Sequence, residues 1–310
     1  MLQLSESKKA TLRWIFQGRD GIRAGWRVVI FLATFLLIAA VVGLTAHFIL
    51  HNLLHIEIKP KAELSPWHEL VNKGVSLLIL LGACLVMARI EGRRWWEYGL
   101  VSRRAVTHFV AGWVGGFLCL SVLVGSLYHF GYLVFDGVAQ HGTAAIGYGL
   151  VLLTVFFMVG VLEESLFRGY VQSALTRGIG FWPAAVVTSL LFAGAHTGNP
   201  GELLLGIVSV FMAGMVFCLL LRVSGSLWLG IGFHTAWDWA QSFFYSTPDS
   251  GYMFKGHLLI SHATGNVGMS GGTVGPEGSY LLTPVLVIGL LLLVAVGKAT
   301  GLFSEAEATK

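Results

Sequence analysis

Charged residues are scarce in this sequence of 310 residues. Asp, Glu, Lys and Arg account for 12% of it, against about 25% in typical soluble domains. Hydrophobic residues account for 55%. This composition argues against a soluble domain of useful size and predicts a chain that lies mainly in lipid.

Cysteine is also rare. The three cysteines, Cys84, Cys119 and Cys218, each lie inside an apolar run. Thiols in that setting support neither a disulfide framework nor a cysteine-rich metal site. We therefore expect buried thiols without a chemical role.

Apolar segments, in contrast, recur along the whole chain. The eight runs are residues 28–50, 74–88, 107–135, 144–162, 179–195, 203–221, 225–245 and 280–297. Most approach the roughly 20 residues that a membrane-spanning helix needs. The second run is long enough if Lys73 and Arg89 extend toward the interfaces, and the fifth if it continues through His196. The pattern predicts an all-α, polytopic membrane protein with about eight transmembrane helices.

Basic residues are distributed unevenly between the two sides of these runs. Six precede the first run, and with the amino terminus inside, 16 of the 20 Lys and Arg residues lie on the inner side. The positive-inside rule then predicts a multi-pass protein of the cell (inner) membrane with both termini cytoplasmic. No basic cluster forms a nucleic-acid-binding motif, so membrane lipid is an expected partner and nucleic acid is not.

The same orientation predicts how the chain is organised. Residues 1–27 form a cytoplasmic basic segment, residues 28–298 a single transmembrane domain, and residues 299–310 a cytoplasmic tail. The first run is too long for the core of a cleaved signal peptide, so we expect it to remain as a helix. Residues 246–279 contain many glycines and few apolar residues, which predicts a flexible external loop.

Ionisable residues inside apolar runs need a partner or a purpose, because each costs about 2.5–3.5 kcal/mol on insertion scales. The sequence E-E-S-L-F-R directly follows the fourth run, at residues 163–168. On a helix, Glu164 and Arg168 lie on one face in the favoured order of acid before base. Glu163 points elsewhere and has no local cation. That environment is typical of a general base poised near neutral pH.

Two further polar groups interrupt later runs. His196 ends the fifth run, with Phe192 one turn before it, and His234 and Asp238 lie one turn apart in the seventh. Together with Glu163, these side chains could converge in one cavity among the fourth, fifth and seventh helices. A Glu/His pair can remove a proton from water there, while a second His and a hydrogen-bond donor stabilise the oxyanion.

In their order, these three motifs resemble the pattern of the CPBP family, which contains the CAAX prenyl proteases and bacteriocin-processing enzymes. That pattern reads E-E-x-x-x-R, then F-x-x-x-H, then H-x-x-x-N or D, and the resemblance covers residues 144–245. It implies an eight-helix intramembrane glutamic endopeptidase without a metal cofactor, and so a catalytic role for the transmembrane domain. It also implies that Glu163 and His196 activate water, that His234 and Asp238 serve the oxyanion, and that Glu164, Arg168 and Phe192 support them.

Asp238 departs from the asparagine expected in the prenyl-processing branch of the family. An ionised aspartate cannot donate a hydrogen bond, so Asp238 must be protonated or must act through His234 or a water molecule. The resemblance allows prenylated carboxy-terminal tails, leader-bearing peptides or membrane proteins as substrates. The sequence does not choose among these peptide and protein partners.

Three other functions are compatible with the same residues. Glu163, His196, His234 and Asp238 could bind zinc in a metalloprotease, although the sequence contains no H-E-x-x-H. The protein could be a non-proteolytic immunity or binding module on the family scaffold. It could also be a transporter with a proton relay, although it shows no internal repeat.

Overall fold

The computed structural model describes residues 16–18, 21–55 and 63–302. Its α-helices are α1 (Ala24–Phe48), α2 (Pro66–Glu91), α3 (Ala105–His129), α4 (Gly142–Glu163), α5 (Ser173–Ile179), α6 (Phe181–His196), α7 (Leu204–Ser224), α8 (Leu227–Trp239), α9 (Val267–Ser270) and α10 (Leu282–Ala299). Its π-helical segments are Ile49–Leu53, Glu164–Gln172 and Ala240–Phe244, and its 3-10 turns are Trp95–Glu97 and Pro276–Gly278. Most of the predicted amino-terminal segment and of the tail lies outside the described residues.

Two small antiparallel sheets accompany the helices. The first pairs β1 (Gln17–Gly18) with β2 (Gly21–Ile22). The second pairs β3 (Leu133–Val138) with β4 (Leu259–Ala263), and its register shifts between Phe135 and Gly137. The second sheet joins the end of the third predicted run to the loop that precedes α10.

Six helices in the described part of the chain are long and apolar enough to cross a membrane. They are Ala24–Leu53, Pro66–Glu91, Ala105–His129, Gly142–Ile179, Leu204–Ser224 and Leu282–Ala299. The predicted all-α, polytopic membrane fold is therefore confirmed, and the protein is an integral membrane protein. The fifth and seventh runs form the shorter helices α6 and α8, so the number eight stays a prediction.

The helix formed by the fourth run extends beyond the apolar residues of that run. The helix continues without a break from Gly142 to Ile179, and the polar motif itself forms the π-helical segment Glu164–Gln172. Glu163 therefore lies roughly 30 Å along a helix of 38 residues, near its middle. The loss of hydropathy after residue 162 therefore does not end the helix, in which the polar residues Glu164 and Arg168 are paired.

Residues 246–279, for which a flexible loop was predicted, include regular secondary structure, and their flexibility stays a prediction. They contain β4, α9 and the turn Pro276–Gly278. Glu277 accepts hydrogen bonds from Trp237 Nε1 at 3.0 Å and from Ser250 Oγ at 2.7 Å. The first bond attaches the carboxy-terminal end of the segment to α8, and the second joins that end to Ser250 near the other end. Whether the segment is external stays a prediction.

Glycines let α3 and α8 pack with their backbones in contact. A Cβ added at Gly112 would lie 2.1 Å from the Leu229 carbonyl oxygen, and one at Gly116 would lie 2.2 Å from that of Phe233. From the other helix, a Cβ at Gly232 would lie 2.1 Å from the Phe109 oxygen. Small residues four positions apart are typical of closely packed membrane helices. This contact fixes the helix that carries His234 and Asp238.

Gly116→Ala should therefore destabilise the protein, because the added methyl group overlaps the α8 backbone. Overpacking of this kind costs about 1–3 kcal/mol. Thermal unfolding of the purified protein in detergent measures the effect. Gly125→Ala on the same helix is the matched control, since an added Cβ there meets nothing within 4 Å. Equal stability of the two variants would contradict the close contact.

Candidate active site

A cavity of about 550 Å³ opens within the helix bundle. Glu163, His196, His234 and Asp238 all line it. They come from α4, α6 and α8, the helices formed by the fourth, fifth and seventh runs. The cavity is not confined to those helices, because α2, α7 and α10 also contribute to its wall. Its other walls are mainly apolar.

Arg168 is buried completely at the centre of this region. Its Nη1 lies 3.1 Å from Glu164 Oε1, and its Nη2 donates to the Gly214 carbonyl at 3.3 Å. The guanidinium also lies 4.2 Å from the ring centre of Phe192 and 4.9 Å from that of Phe217. The predicted Glu164–Arg168 pair is present, and aromatic faces supply the remaining stabilisation of the buried cation.

Glu164 contacts a second partner that the helical-face argument did not include. Its Oε1 lies 3.2 Å from His234 Nδ1. Gly230 gives this carboxylate room, because a Cβ there would lie 3.2 Å from Glu164 Oε2. Glu164 therefore connects Arg168 to His234 and orients the imidazole ring.

The other ring nitrogen of His234 faces the cavity carboxylates. Its Nε2 lies 3.5 Å from Asp238 Oδ2 and 3.7 Å from Glu163 Oε2. Ionised carboxylates only accept hydrogen bonds, so both ring nitrogens face acceptors. This geometry, from which the proton positions are inferred, favours an imidazolium that donates to Glu164 through Nδ1 and directs its Nε2–H toward the two cavity carboxylates.

His196 lines the cavity without touching the other polar side chains. Its Nδ1 lies 2.8 Å from the Phe192 carbonyl oxygen, so Nδ1 donates and Nε2 is left as an acceptor. The Phe192 ring packs 4.6 Å from the His196 ring, between centres. Within the described residues, no hydrogen bond joins His196 to Glu163. Phe192 therefore places His196 on the cavity wall and also covers Arg168.

Two cavity residues were missed in the sequence. Asp249 and Glu277 line the cavity, and their carboxylate oxygens and that of Asp238 lie within 4.8 Å of one another. Burial, followed by the charge of Glu277, raises the pKa of Asp249 well above its usual range. The available signal was that these two are the only acidic residues in residues 246–279.

The metal-binding capacity of the site differs from the predicted zinc set. Among the described residues, the group whose ligand atoms lie within 4.8 Å of one another is Asp238, Asp249 and Glu277. It contains only one of the four predicted zinc ligands, and its oxygen atoms suit Mg²⁺ or Ca²⁺ better than zinc. The zinc hypothesis stays a prediction.

Glu164→Gln should strongly destabilise the protein, because it leaves the Arg168 cation buried without its counter-charge. Breaking a buried pair in this way costs about 3–5 kcal/mol. The yield of monodisperse protein and its thermal unfolding measure the loss. Glu163→Gln is the control and should change stability little, since Glu163 faces the cavity. Normal stability of Glu164→Gln would show that the Glu164–Arg168 pair is not needed for the stability of the folded protein.

Comparison with known proteins adds an independent observation. Residues 145–240 match the family model described as type II CAAX prenyl endopeptidase Rce1-like. The chain is also 33% identical over 87 residues to an uncharacterized 24.3 kDa protein of Escherichia coli. That match covers 27% of this chain and 39% of the bacterial protein, so the chain spans well under half of its relative's length.

The matched segment contains every motif residue of the site, from Glu163 to Asp238. It carries the acidic, aromatic and histidine positions that meet at the cavity. The resemblance predicted from the motifs is thereby confirmed: residues 145–240 match the CAAX-type prenyl endopeptidase family model.

Proposed function

We propose that this protein is an intramembrane endopeptidase that hydrolyses peptide bonds of membrane-associated substrates with a water molecule activated by Glu163. The family match supports a protease of the CAAX type. One observation carries the proposal further. The Glu163 carboxylate and the His234 imidazole lie 3.7 Å apart on the wall of an apolar cavity, where a base and an electrostatic stabiliser can face the same peptide carbonyl.

Glu163 is the proposed general base. Unlike Glu164, it has no arginine partner within the described residues and keeps its carboxylate directed at the cavity. It takes a proton from water as the oxygen of that water attacks the peptide carbonyl. The same proton then passes to the leaving amine, so the peptide C–N bond breaks and the carboxylate is regenerated. His196, whose Nε2 is free to accept, assists in orienting the water.

His234 is the proposed stabiliser of the oxyanion. The attack places negative charge on the former carbonyl oxygen, and an N–H group fixed near that oxygen lowers the barrier. Glu164 holds Nδ1 and thereby directs Nε2 toward Glu163 and Asp238. A substrate carbonyl that enters between these groups meets the N–H of an imidazolium rather than a carboxylate.

Asp238 is the proposed partner of this imidazolium. It lies one turn after His234 and is itself buried, with Asp249 and Glu277 close to its carboxylate. Its charge stabilises the protonated ring, and it serves the oxyanion directly only when it carries a proton. The presence of two further carboxylates favours proton sharing in this group, as in other carboxylate pairs.

The substrate class is set by the cavity and by the membrane. The cavity lies within a bundle of apolar helices. A peptide segment that is attached to the membrane or embedded in it is therefore the proposed substrate. Prenylated tails, leader-bearing peptides and membrane proteins all satisfy this description. The cell-membrane location and the cytoplasmic placement of both termini remain part of this proposal.

Glu163→Gln should lower peptide-bond hydrolysis by about 10²–10⁴-fold, the usual contribution of a general base. Mass spectrometry of peptides released from membranes that contain the wild-type or variant protein measures the effect. Glu97→Gln is the control, because Glu97 is exposed and does not line the cavity. If Glu163→Gln kept full activity, another group would be the base.

The same membrane preparations can be used to distinguish the three alternative functions. Peptide release that persists in the presence of a metal chelator would remove the zinc hypothesis. Proton-driven uptake by reconstituted vesicles, without any Glu163-dependent peptide release, would instead favour the transporter. The absence of both activities would favour an immunity or binding module.

Asp238→Asn should reduce turnover without abolishing it, and should change the pH optimum. The amide keeps the size and hydrogen-bonding capacity of the side chain but removes the charge beside His234. Asp238→Ala should be slower still. The test is the dependence of the hydrolysis rate on pH for both variants. Profiles identical to that of the wild type would show that Asp238 has only a structural role.

A further inference from the structure

Phe217 of α7 is a cavity residue that belongs to none of the three motifs. Its ring stacks on the His234 imidazole, with 4.9 Å between ring centres and 28° between ring planes. The guanidinium carbon of Arg168 also lies 4.9 Å from the centre of this ring. One buried aromatic ring therefore contacts the two basic side chains that Glu164 joins.

Two other aromatic rings fix the orientation of Phe217. Phe233 of α8 packs against it at 87°, with 5.8 Å between ring centres, and Phe192 of α6 packs against it at 75° and 6.4 Å. Perpendicular contacts of this kind are a favoured arrangement of aromatic pairs. Side chains in close-packed interiors sit in defined rotamers, so Phe217 presents a fixed face to His234.

The carboxylates around His234 leave the tilt of its ring to be set by another contact. Within the described residues, Glu164 makes the one hydrogen bond to the ring, at Nδ1, while Nε2 lies 3.5 Å from Asp238 and 3.7 Å from Glu163. A ring held at one nitrogen can still tilt about that contact. An N–H donor weakens steeply when it is misaligned with its acceptor. The stack on Phe217 opposes the tilt and keeps Nε2 directed at the cavity.

The face of the Phe217 ring also favours a charged imidazole. Aromatic faces carry partial negative charge, and a cation within about 6 Å of the ring centre is attracted to that face, most strongly where water is excluded. The stack at 4.9 Å places His234 inside this range. The proposed mechanism uses His234 as an imidazolium, because only a protonated ring donates to Glu164 through Nδ1 and to the oxyanion through Nε2.

We propose that Phe217 is a positioning residue for peptide hydrolysis, whose ring holds the plane of His234 and stabilises the imidazolium that faces the oxyanion. This inference rests on the proposed function and adds a residue that acts through His234. It differs from apolar packing in one measurable respect. Packing depends on the size and hydrophobicity of the side chain at position 217, whereas the proposed contact depends on the electron density of the ring face.

The test introduces phenylalanine with one, two or three ring fluorines at position 217 of the full-length protein in membranes. Fluorine draws electron density from the ring face and keeps the side chain apolar and similar in size. On a synthetic peptide that spans a Glu163-dependent cleavage site, kcat should fall with each fluorine, by about 10-fold for three. KM should change little, because the contact acts on the transition state.

Phe156 is the matched control. It is buried and lines the same cavity, and among the described residues no cation lies over its ring. Three fluorines there should leave kcat nearly unchanged. Phe217→Leu, which removes the ring, should lower kcat at least as much as three fluorines at position 217. Thermal unfolding of each variant separates a loss of stability from a loss of turnover.

Three results would overturn the inference and leave the proposed function intact. Equal kcat across the fluorine series would show that Phe217 acts by packing alone, and equal falls at positions 156 and 217 would show a general effect of fluorine in the cavity. An equal fall after the same fluorination of Phe192 would assign the effect to Arg168, because the Phe192 ring lies 4.2 Å from that guanidinium but 6.5 Å from His234. Absence of Glu163-dependent cleavage by the wild type would instead overturn the proposed function, and this inference with it.

Discussion

A completely buried arginine is the constraint on which the site depends. The Arg168 guanidinium cannot remain in an apolar interior without a counter-charge, so Glu164 is held within 3.1 Å of it. The same carboxylate oxygen contacts His234, and this orients the imidazole toward Glu163 and Asp238. One carboxylate therefore both neutralises the buried cation and orients the proposed oxyanion stabiliser. Because Glu164 is occupied in this way, Glu163 is the carboxylate that remains available to the cavity.

A second constraint positions the helix that brings His234 to this network. Because Gly112 and Gly116 of α3 have no Cβ, carbonyl oxygens of α8 lie where a methyl group would be. Gly232 of α8 leaves the same space for the Phe109 carbonyl oxygen of α3. In a membrane, where apolar side chains gain little by leaving lipid, such close backbone packing is a main source of helix association. This packing fixes against α3 the helix that carries two members of the polar network, His234 and Asp238.

Local pairing could be predicted from the sequence, whereas depth and long-range contacts could not. The Glu164–Arg168 pair follows from spacing on one helix, and the motifs identified the family segment. The fourth apolar run ends before Glu163, whereas the helix continues through the polar segment that follows to Ile179. Asp249 and Glu277 reach the cavity from turns before and after β4, and the packing of such turns leaves no periodic pattern in the sequence.

The charges around the cavity account for the aspartate at position 238. The oxygen atoms of three carboxylates lie within 4.8 Å of one another. In a site of low dielectric, ionising all three is unfavourable, because like charges repel. Burial and Glu277 raise the pKa of Asp249, so a proton held there reduces the negative charge that faces Asp238. Asp238 can then remain the counter-charge of the His234 imidazolium, or share the proton and donate it as an asparagine would. In the proposed mechanism, the loop acids thus supply the proton through which Asp238 donates a hydrogen bond as an asparagine would.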